Sequence, residues 1–290
     1  MNTEAFTSTL KHQSTVEKNG IKISKEIAEK TVWDELAVEN PTHAVISAKN
    51  EEDAAIKSAE QISDIKQFLK PGDILLDCGT GYGRVAKYLL PQMALGGYVG
   101  VDSSYQMLSL FKKRYDTVES EKRTPLLLLN ADIHTLPIQD SSVNVAIICA
   151  VFLHNHKSIV DKAMLEIERV IKPGGRVLVY SSFPRSATLM GVQGCAYQIL
   201  LNLLGRPYKN GPVRYYRRKE ILKLFKGFDE IELRPVGYSV IPKTLIFLPG
   251  LLEAIWRKVI ANPLNKILEY ITPAQLKPYF AVHYDVVAKK

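Results

Sequence analysis

No uninterrupted apolar run in this chain reaches the ~20 residues that a membrane span requires. The nearest, from Leu245 to Ile260, is broken by Pro249, Glu253, Arg257 and Lys258. Cysteine is scarce. Cys78, Cys149 and Cys195 have the spacing of neither a metal site nor a disulfide framework, so no metal and a reduced, cytoplasmic setting are expected. Met1 to Ser14 carries no apolar h-region, which predicts no secretory signal. Internal repeats and low-complexity tracts are missing too. The charge is mixed: 38 Lys and Arg against 30 Asp and Glu give a net charge of +8, only partly clustered. The densest patch runs from Arg214 through Arg217, Arg218, Lys219 and Lys223 to Lys226, and a solvated helix face explains it more simply than a nucleic-acid surface.

With 290 residues, 46% hydrophobic and 23% charged, the chain reads as an ordinary globular protein of one large or two small domains. Its organising stretch is Asp73 to Ala86. Ile74 to Leu76 is the short apolar run of a buried parallel strand, closed by Asp77. Gly79, Gly81 and Gly83 follow at every second position, and Val85, Ala86, Tyr88, Leu89 and Leu90 then recur at helical spacing. Strand, permissive turn and helix N-terminus make a nucleotide-type binding corner. Asp77 gives its entrance a negative charge, which suits a cationic ligand better than a pyrophosphate. A dinucleotide reading stays open, because Gly81-x-Gly83-x-x-Ala86 fits the looser fingerprint and Asp102 lies about 20 residues further on.

Around this corner strands and helices alternate. Residues 1–30 read as a mobile tail leading into a helix, and residues 32–37 as a short helix stopped before Pro41. Glu51 to Leu69 is an amphipathic helix ended by Pro71-Gly72. Further strands are expected at 97–101, 126–129, 143–149, 176–180 and 230–234, with a closing antiparallel strand over 280–288. Helices are expected at 105–114, where Ser103 or Ser104 caps, at 159–171 and at 217–225. This rhythm predicts an α/β fold: a Rossmann-like, three-layer α/β/α sandwich on a parallel sheet with a final antiparallel strand. The expected divisions are a tail and helical cap over 1–50, a cofactor-binding core over 51–182, and lid insertions plus completing strands over 183–290.

The series Asp77-x-Gly79-x-Gly81-x-Gly83 resembles the first motif of class I S-adenosylmethionine-dependent methyltransferases. So does Glu166-Ile167-Glu168-Arg169-Val170-Ile171-Lys172-Pro173-Gly174-Gly175, similar to the family's helix-turn before its fifth strand. The resemblance covers roughly residues 50–185 and is greatest to the small-molecule branch containing quinone-biosynthesis methylases. It departs at Asn144, where that branch commonly has aspartate. It implies S-adenosylmethionine as cofactor, held by Asp77, Gly79, Thr80, Gly81, Gly83, Asp102, Ser103, Met107, Asp132, Ile133 and Ala150. In that reading Asp102 takes the ribose hydroxyls, Asp132 the adenine amino group and Ile133 the ring, while Cys149-Ala150-Val151 lies beside the sulfonium. Every one of these polar residues falls at the carboxyl end of an expected strand, where open parallel sheets bind ligands.

Methyl transfer by in-line displacement needs alignment and water exclusion more than covalent help. A general base matters only for a neutral hydroxyl or an acidic carbon, and His154 is the candidate, with His156 and Tyr180 behind it. A satisfied structural histidine explains His154 equally well. Residues 20–50, 183–215 and 239–271, rich in Leu, Ile, Phe, Tyr and Trp, are expected to form an apolar lid over a small, hydrophobic or lipid-like acceptor; they admit peripheral contact with a membrane. Plain packing of added helices accounts for them as well. Two rivals remain: an RNA methyltransferase using the 214–226 patch, disfavoured because no Asn-Pro-Pro-Tyr or Asp-Pro-Pro-Tyr follows the fourth strand, and an NAD(P)-dependent reductase.

Overall fold

The computed structural model describes residues 15–24, 33–34, 51–117, 124–206, 213–243, 245 and 250–290. Its first elements differ from the expected tail. Strands β1 (Thr15–Lys18) and β2 (Ile21–Ser24) form a hairpin whose two-residue turn, Asn19-Gly20, has φ of 52° and 72°. That turn twists with the strands it joins, so the segment folds back instead of trailing away. Of the expected helix at 32–37, Trp33 and Asp34 are described as helical; its other residues lie outside the described ones.

The core then follows in the expected alternation. It comprises α1 (Glu51–Gln67), β3 (Ile74–Cys78), α2 (Arg84–Leu89), β4 (Gly97–Asp102), α3 (Tyr105–Asp116), β5 (Leu126–Asn130), β6 (Val143–Cys149), α4 (Lys157–Val170) and β7 (Ile171–Pro184). After it come α5 (Leu189–Leu203), α6 (Arg218–Leu224), β8 (Glu230–Val236), α7 (Gly250–Ile255), a π-helical turn (Trp256–Ala261), α8 (Asn262–Ile271) and β9 (His283–Lys289). Among the described residues the sheet has nine strands in the order β1-β2-β5-β4-β3-β6-β7-β9-β8. Strands β2, β5, β4, β3, β6 and β7 run parallel, and β9 inserts antiparallel between β7 and β8. The expected final antiparallel strand is therefore present, with the hairpin adding a second antiparallel strand at the opposite edge.

Alternating side chains split the core between the two faces of the sheet. Leu75, Tyr98, Leu128, Val145 and Leu178 pack under α1, α2 and α3, together with Ile62, Ile65, Val85, Leu89 and Phe111. Leu76, Val99, Leu129, Ala146 and Val177 pack on the other face against α4 and α6. Helix α4 buries Val160, Ala163, Met164, Ile167 and Val170, one stripe at three- and four-residue steps. Each of the larger side chains in this stripe, Val160, Met164, Ile167 and Val170, contributes roughly 1.5–3 kcal/mol when buried. The expected turn at Lys172-Pro173-Gly174-Gly175 is instead a bulge inside β7: pairing jumps from Val143–Ile171 to Val145–Arg176, and Gly174 takes φ of 76°.

The chain steps from β3 to β4 and β5 on one side, then crosses to β6 on the other. The strand order thus reverses beside β3, and the crevice at its carboxyl end is where such sheets receive ligands. Asn144 sits at the far end of β6, where its Oδ1 accepts from Ile74 N and Lys172 Nζ, each at 3.0 Å. Its departure from the family pattern leaves the crevice untouched.

Candidate functional site

The turn after β3 is fastened to β4. Gly79 N and Thr80 N both donate to the Val101 carbonyl, at 2.8 and 3.0 Å. Gly79, Gly81 and Gly83 have φ of 74°, 55° and 80°, a region that disfavours side chains. A Cβ on Gly79 would lie 2.4 Å from Val151 Cγ2, and one on Gly83 would lie 2.4 Å from Phe111 Cδ2. The first glycine keeps a cleft open; the last lets α3 press on α2.

Asp102 ends β4 on the wall of that cleft. Its Oδ2 accepts from Gly81 N at 2.8 Å and its Oδ1 from Ser104 N at 2.9 Å. Each oxygen retains a lone pair. Burial lifts its pKa to about 6, against the pull of the Ser104 and Gly81 amides, and the nearby Asp77 and Asp34 push the same way as burial. The carboxylate is 8% exposed and belongs to a cleft of about 280 Å³. Gly79, Gly81, Ser103, Met107, Asp132, Ile133 and Ala150 share its lining, as do His154 and, from outside the core, Trp33.

Three residues expected at the ligand stand behind it. Asp77 is 1% exposed and faces inward, accepting from Thr80 Oγ1 at 2.8 Å and from the Tyr98 hydroxyl. Burial raises its pKa, and the hydrogen bonds from Tyr98 and Thr80 oppose that rise. Asp77 therefore braces the turn, and the cleft's acidic character comes from Asp102 and Asp132. Thr80 is spent on that brace and Gly83 on the helix contact; neither lines the cleft.

Three other features escaped the sequence reading. Trp33 reaches the cleft because Asp34 anchors its segment: Asp34 Oδ1 accepts from Ser104 Oγ at 2.6 Å and Gln106 N at 3.1 Å, at the start of α3. Its indole packs edge-on against His154, with centroids 5.3 Å apart. Ala150 adopts φ of 58°, costly for a side-chain-bearing residue, and its N–H is held by the Tyr180 carbonyl at 2.9 Å. Beyond Cys149 and Ala150 a second cavity of about 730 Å³ opens, lined by Asp64, Arg84, Tyr180, Arg234, His283 and Asp285 among others. Tyr180 is engaged there, donating to Asp64 Oδ2 at 2.6 Å.

His154 lies in the cleft with its Nδ1 buried and, among the described residues, without a hydrogen-bond partner, and burial lowers its pKa. It is therefore neutral near pH 7, the proton-accepting form. Of the segments expected to form a lid, residues 25–32, 35–50, 207–212, 244 and 246–249 lie outside the described residues; among the described ones Trp33 lines the cleft, and no residue of α5, α7 or α8 lines either cavity. In the basic patch, Arg214 turns onto the Tyr216 ring at 4.7 Å and pairs with Glu220 at 3.5 Å.

The residues present fit an adenosyl ligand. Asp102 offers acceptors for vicinal hydroxyls, Met107 and Ile133 offer apolar surfaces, and the turn at Gly79 excludes a side chain where the ligand backbone would pass.

A methyltransferase domain family matches residues 76–179, the span from β3 into β7. Over 145 residues the chain is 30% identical to the ubiquinone/menaquinone biosynthesis C-methyltransferase UbiE of Syntrophotalea carbinolica, covering 49% of this chain and 58% of that protein. Over 116 residues it is 32% identical to an uncharacterized 37.1 kDa protein in a transposon of Streptomyces fradiae, covering 38% of this chain and 30% of that one. The chain thus spans less than two thirds of the length of both curated relatives. A Haloferax volcanii protein solved in complex with the Trm112 methyltransferase activator superposes with a TM-score of 0.57 at 17% identity, covering 90% of this chain and 98% of that one. At that identity the likeness is one of fold. Strand order, glycine corner and domain match agree in likening the stretch from residue 76 to residue 179 to a methyltransferase domain.

Proposed function

We propose that this protein transfers the methyl group of S-adenosylmethionine to a small acceptor, apolar or amphipathic in kind. The observation that carries the reading is Asp102: a buried carboxylate on the wall of the cleft, oriented by two backbone amides yet still able to accept. Asp102 would hold the ribose hydroxyls, Asp132 the adenine amino group, and Met107 and Ile133 the two sides of the ring. Gly79, Gly81 and Ala150 would line the path of the amino-acid tail. Bound there, the cofactor supplies a methyl group already activated by its sulfonium.

What remains for the protein is alignment and dryness. Trp33, Val151, His154 and Ile159 also line the cleft and would seat the acceptor. Neutral His154 would take a proton from an acceptor hydroxyl or carbon acid. The identity with UbiE, whose name records a quinone-biosynthesis C-methyltransferase, favours an acceptor of the quinone kind. Calorimetry with S-adenosylmethionine, S-adenosylhomocysteine and NADH tests the cofactor reading: the first two bind and NADH does not. NADH binding without either sulfur ligand would overturn it.

A further inference from the structure

Helices α5 and α8 turn their apolar sides outward. In α5, Leu189, Val192, Ala196, Ile199 and Leu203 recur at three- and four-residue steps and are all exposed, Leu203 by 80%. The inward side is built of small residues: a Cβ on Gly191 would meet the Arg185 carbonyl at 2.1 Å, and one on Gly194 the Tyr215 hydroxyl at 2.0 Å. Helix α8 repeats the inversion. Its 4%-exposed residue is the polar Asn265, whose side chain accepts from Val240 N and Ile241 N and donates to the Ile241 carbonyl. Ile260, in the π-helical turn before α8, and Leu264, Ile267 and Ile271 form the exposed stripe, flanked by Tyr270 at 89% exposure. A helix that hides its amide and shows its isoleucines is built for a second apolar phase.

The two helices are tied at their base. Arg185, just ahead of α5, donates through Nη1 to the carbonyls of Pro278, Tyr279 and Ala281, at 2.7, 3.1 and 3.0 Å, in the segment that leaves α8. Charge identifies the occupant. Arg206, Lys258 and Lys266 stand exposed around these stripes, beside Arg257, which pairs with Glu253 at 3.7 Å; Glu269 is the exposed acid among them. A second copy docked through a two-fold axis would set this basic surface against itself. An anionic lipid surface complements it. Among the described residues no helix is long and apolar enough to cross a membrane, so the contact is with one leaflet.

We propose that α5 and α7–α8 form a docking face for an anionic lipid bilayer, seated by their outward apolar stripes and held by Arg206, Lys258 and Lys266. This does not depend on which acceptor is methylated. The test is co-sedimentation of the full chain with vesicles of equal phosphatidylglycerol and phosphatidylcholine, and with phosphatidylcholine alone, at about 50 mM and about 500 mM salt. The protein is expected to pellet with the anionic vesicles at low salt and to be released at least tenfold (~) at high salt. Ile267→Glu and Leu203→Glu should each weaken partition by about 10-fold or more, through loss of a buried aliphatic side chain. Lys258→Glu and Lys266→Glu should each cost about fivefold on anionic vesicles. All four positions are exposed, so melting temperatures should match the parent chain. Failure of the parent chain to bind anionic vesicles at low salt overturns the proposal. So does a concentration-dependent dimer dissolved by Ile267→Glu without any vesicle binding, which would give the face to a second copy.

Discussion

Replacing Asp102 with asparagine separates the two things this carboxylate does. At neutral pH its charge is held against burial, which moves its pKa from 3.8 to about 6. Between those values the folded chain binds the proton more tightly than the unfolded one. Stability of the unbound protein therefore falls as pH rises through this window, by about 3 kcal/mol once pH 7 is reached. Asparagine removes that cost. It also turns one acceptor into an NH₂ donor facing either Gly81 N–H or Ser104 N–H, which leaves a buried amide unpartnered at about 1–3 kcal/mol. The two effects oppose, so Asp102→Asn should melt within a few degrees (~5 °C) of the parent. Cofactor affinity has no such compensation. Losing charge-assisted acceptance of the ribose hydroxyls should weaken S-adenosylhomocysteine binding by about 1.5–3 kcal/mol, roughly 10- to 150-fold in Kd. Calorimetry on the folded variant reads this directly. Affinity within about twofold of the parent would refute the ribose assignment.

Three further outcomes follow from the same geometry. Gly79→Ala places a Cβ 2.4 Å from Val151 at a positive φ, so it should cost about 1–3 kcal/mol of stability and sharply weaken cofactor binding, by thermal melting and calorimetry. His154→Ala should slow turnover by about 10²–10⁴-fold if the acceptor needs a base, with S-adenosylhomocysteine affinity unchanged; full activity would relegate the imidazole to packing against Trp33. Because the ionised Asp102 is the form that binds, cofactor affinity should drop about tenfold between pH 7 and pH 5, and a flat profile in calorimetry would contradict that.

Much of the fold was legible because its signals are local. The strands at 74–78, 97–102, 126–130 and 143–149 are short apolar runs ending in turn or polar residues, and their alternation with amphipathic helices admits few topologies. The hairpin at 15–24 went unread although Asn19-Gly20 is a strong turn signal, since its flanks offer little apolar pattern beyond Val16, Ile21 and Ile23. At the site, strand-end positions pointed to Asp102, Asp132 and Ala150 without any structure. The inward turn of Asp77 was not readable: it depends on the Tyr98 hydroxyl, which the register of β3 against β4 brings alongside. Trp33 was hidden for the same reason, because the Asp34 bonds to Ser104 and Gln106 cross about 70 residues of sequence. Nothing in an alanine announces the left-handed backbone of Ala150.

The most direct test is a crystal structure with S-adenosylhomocysteine. The ribose hydroxyls should lie within hydrogen-bonding distance of the Asp102 oxygens, with the adenine between Met107 and Ile133 and the sulfur close to Ala150. Ligand density elsewhere on the molecule, or a nucleoside seated with Asp102 out of its reach, would contradict the account.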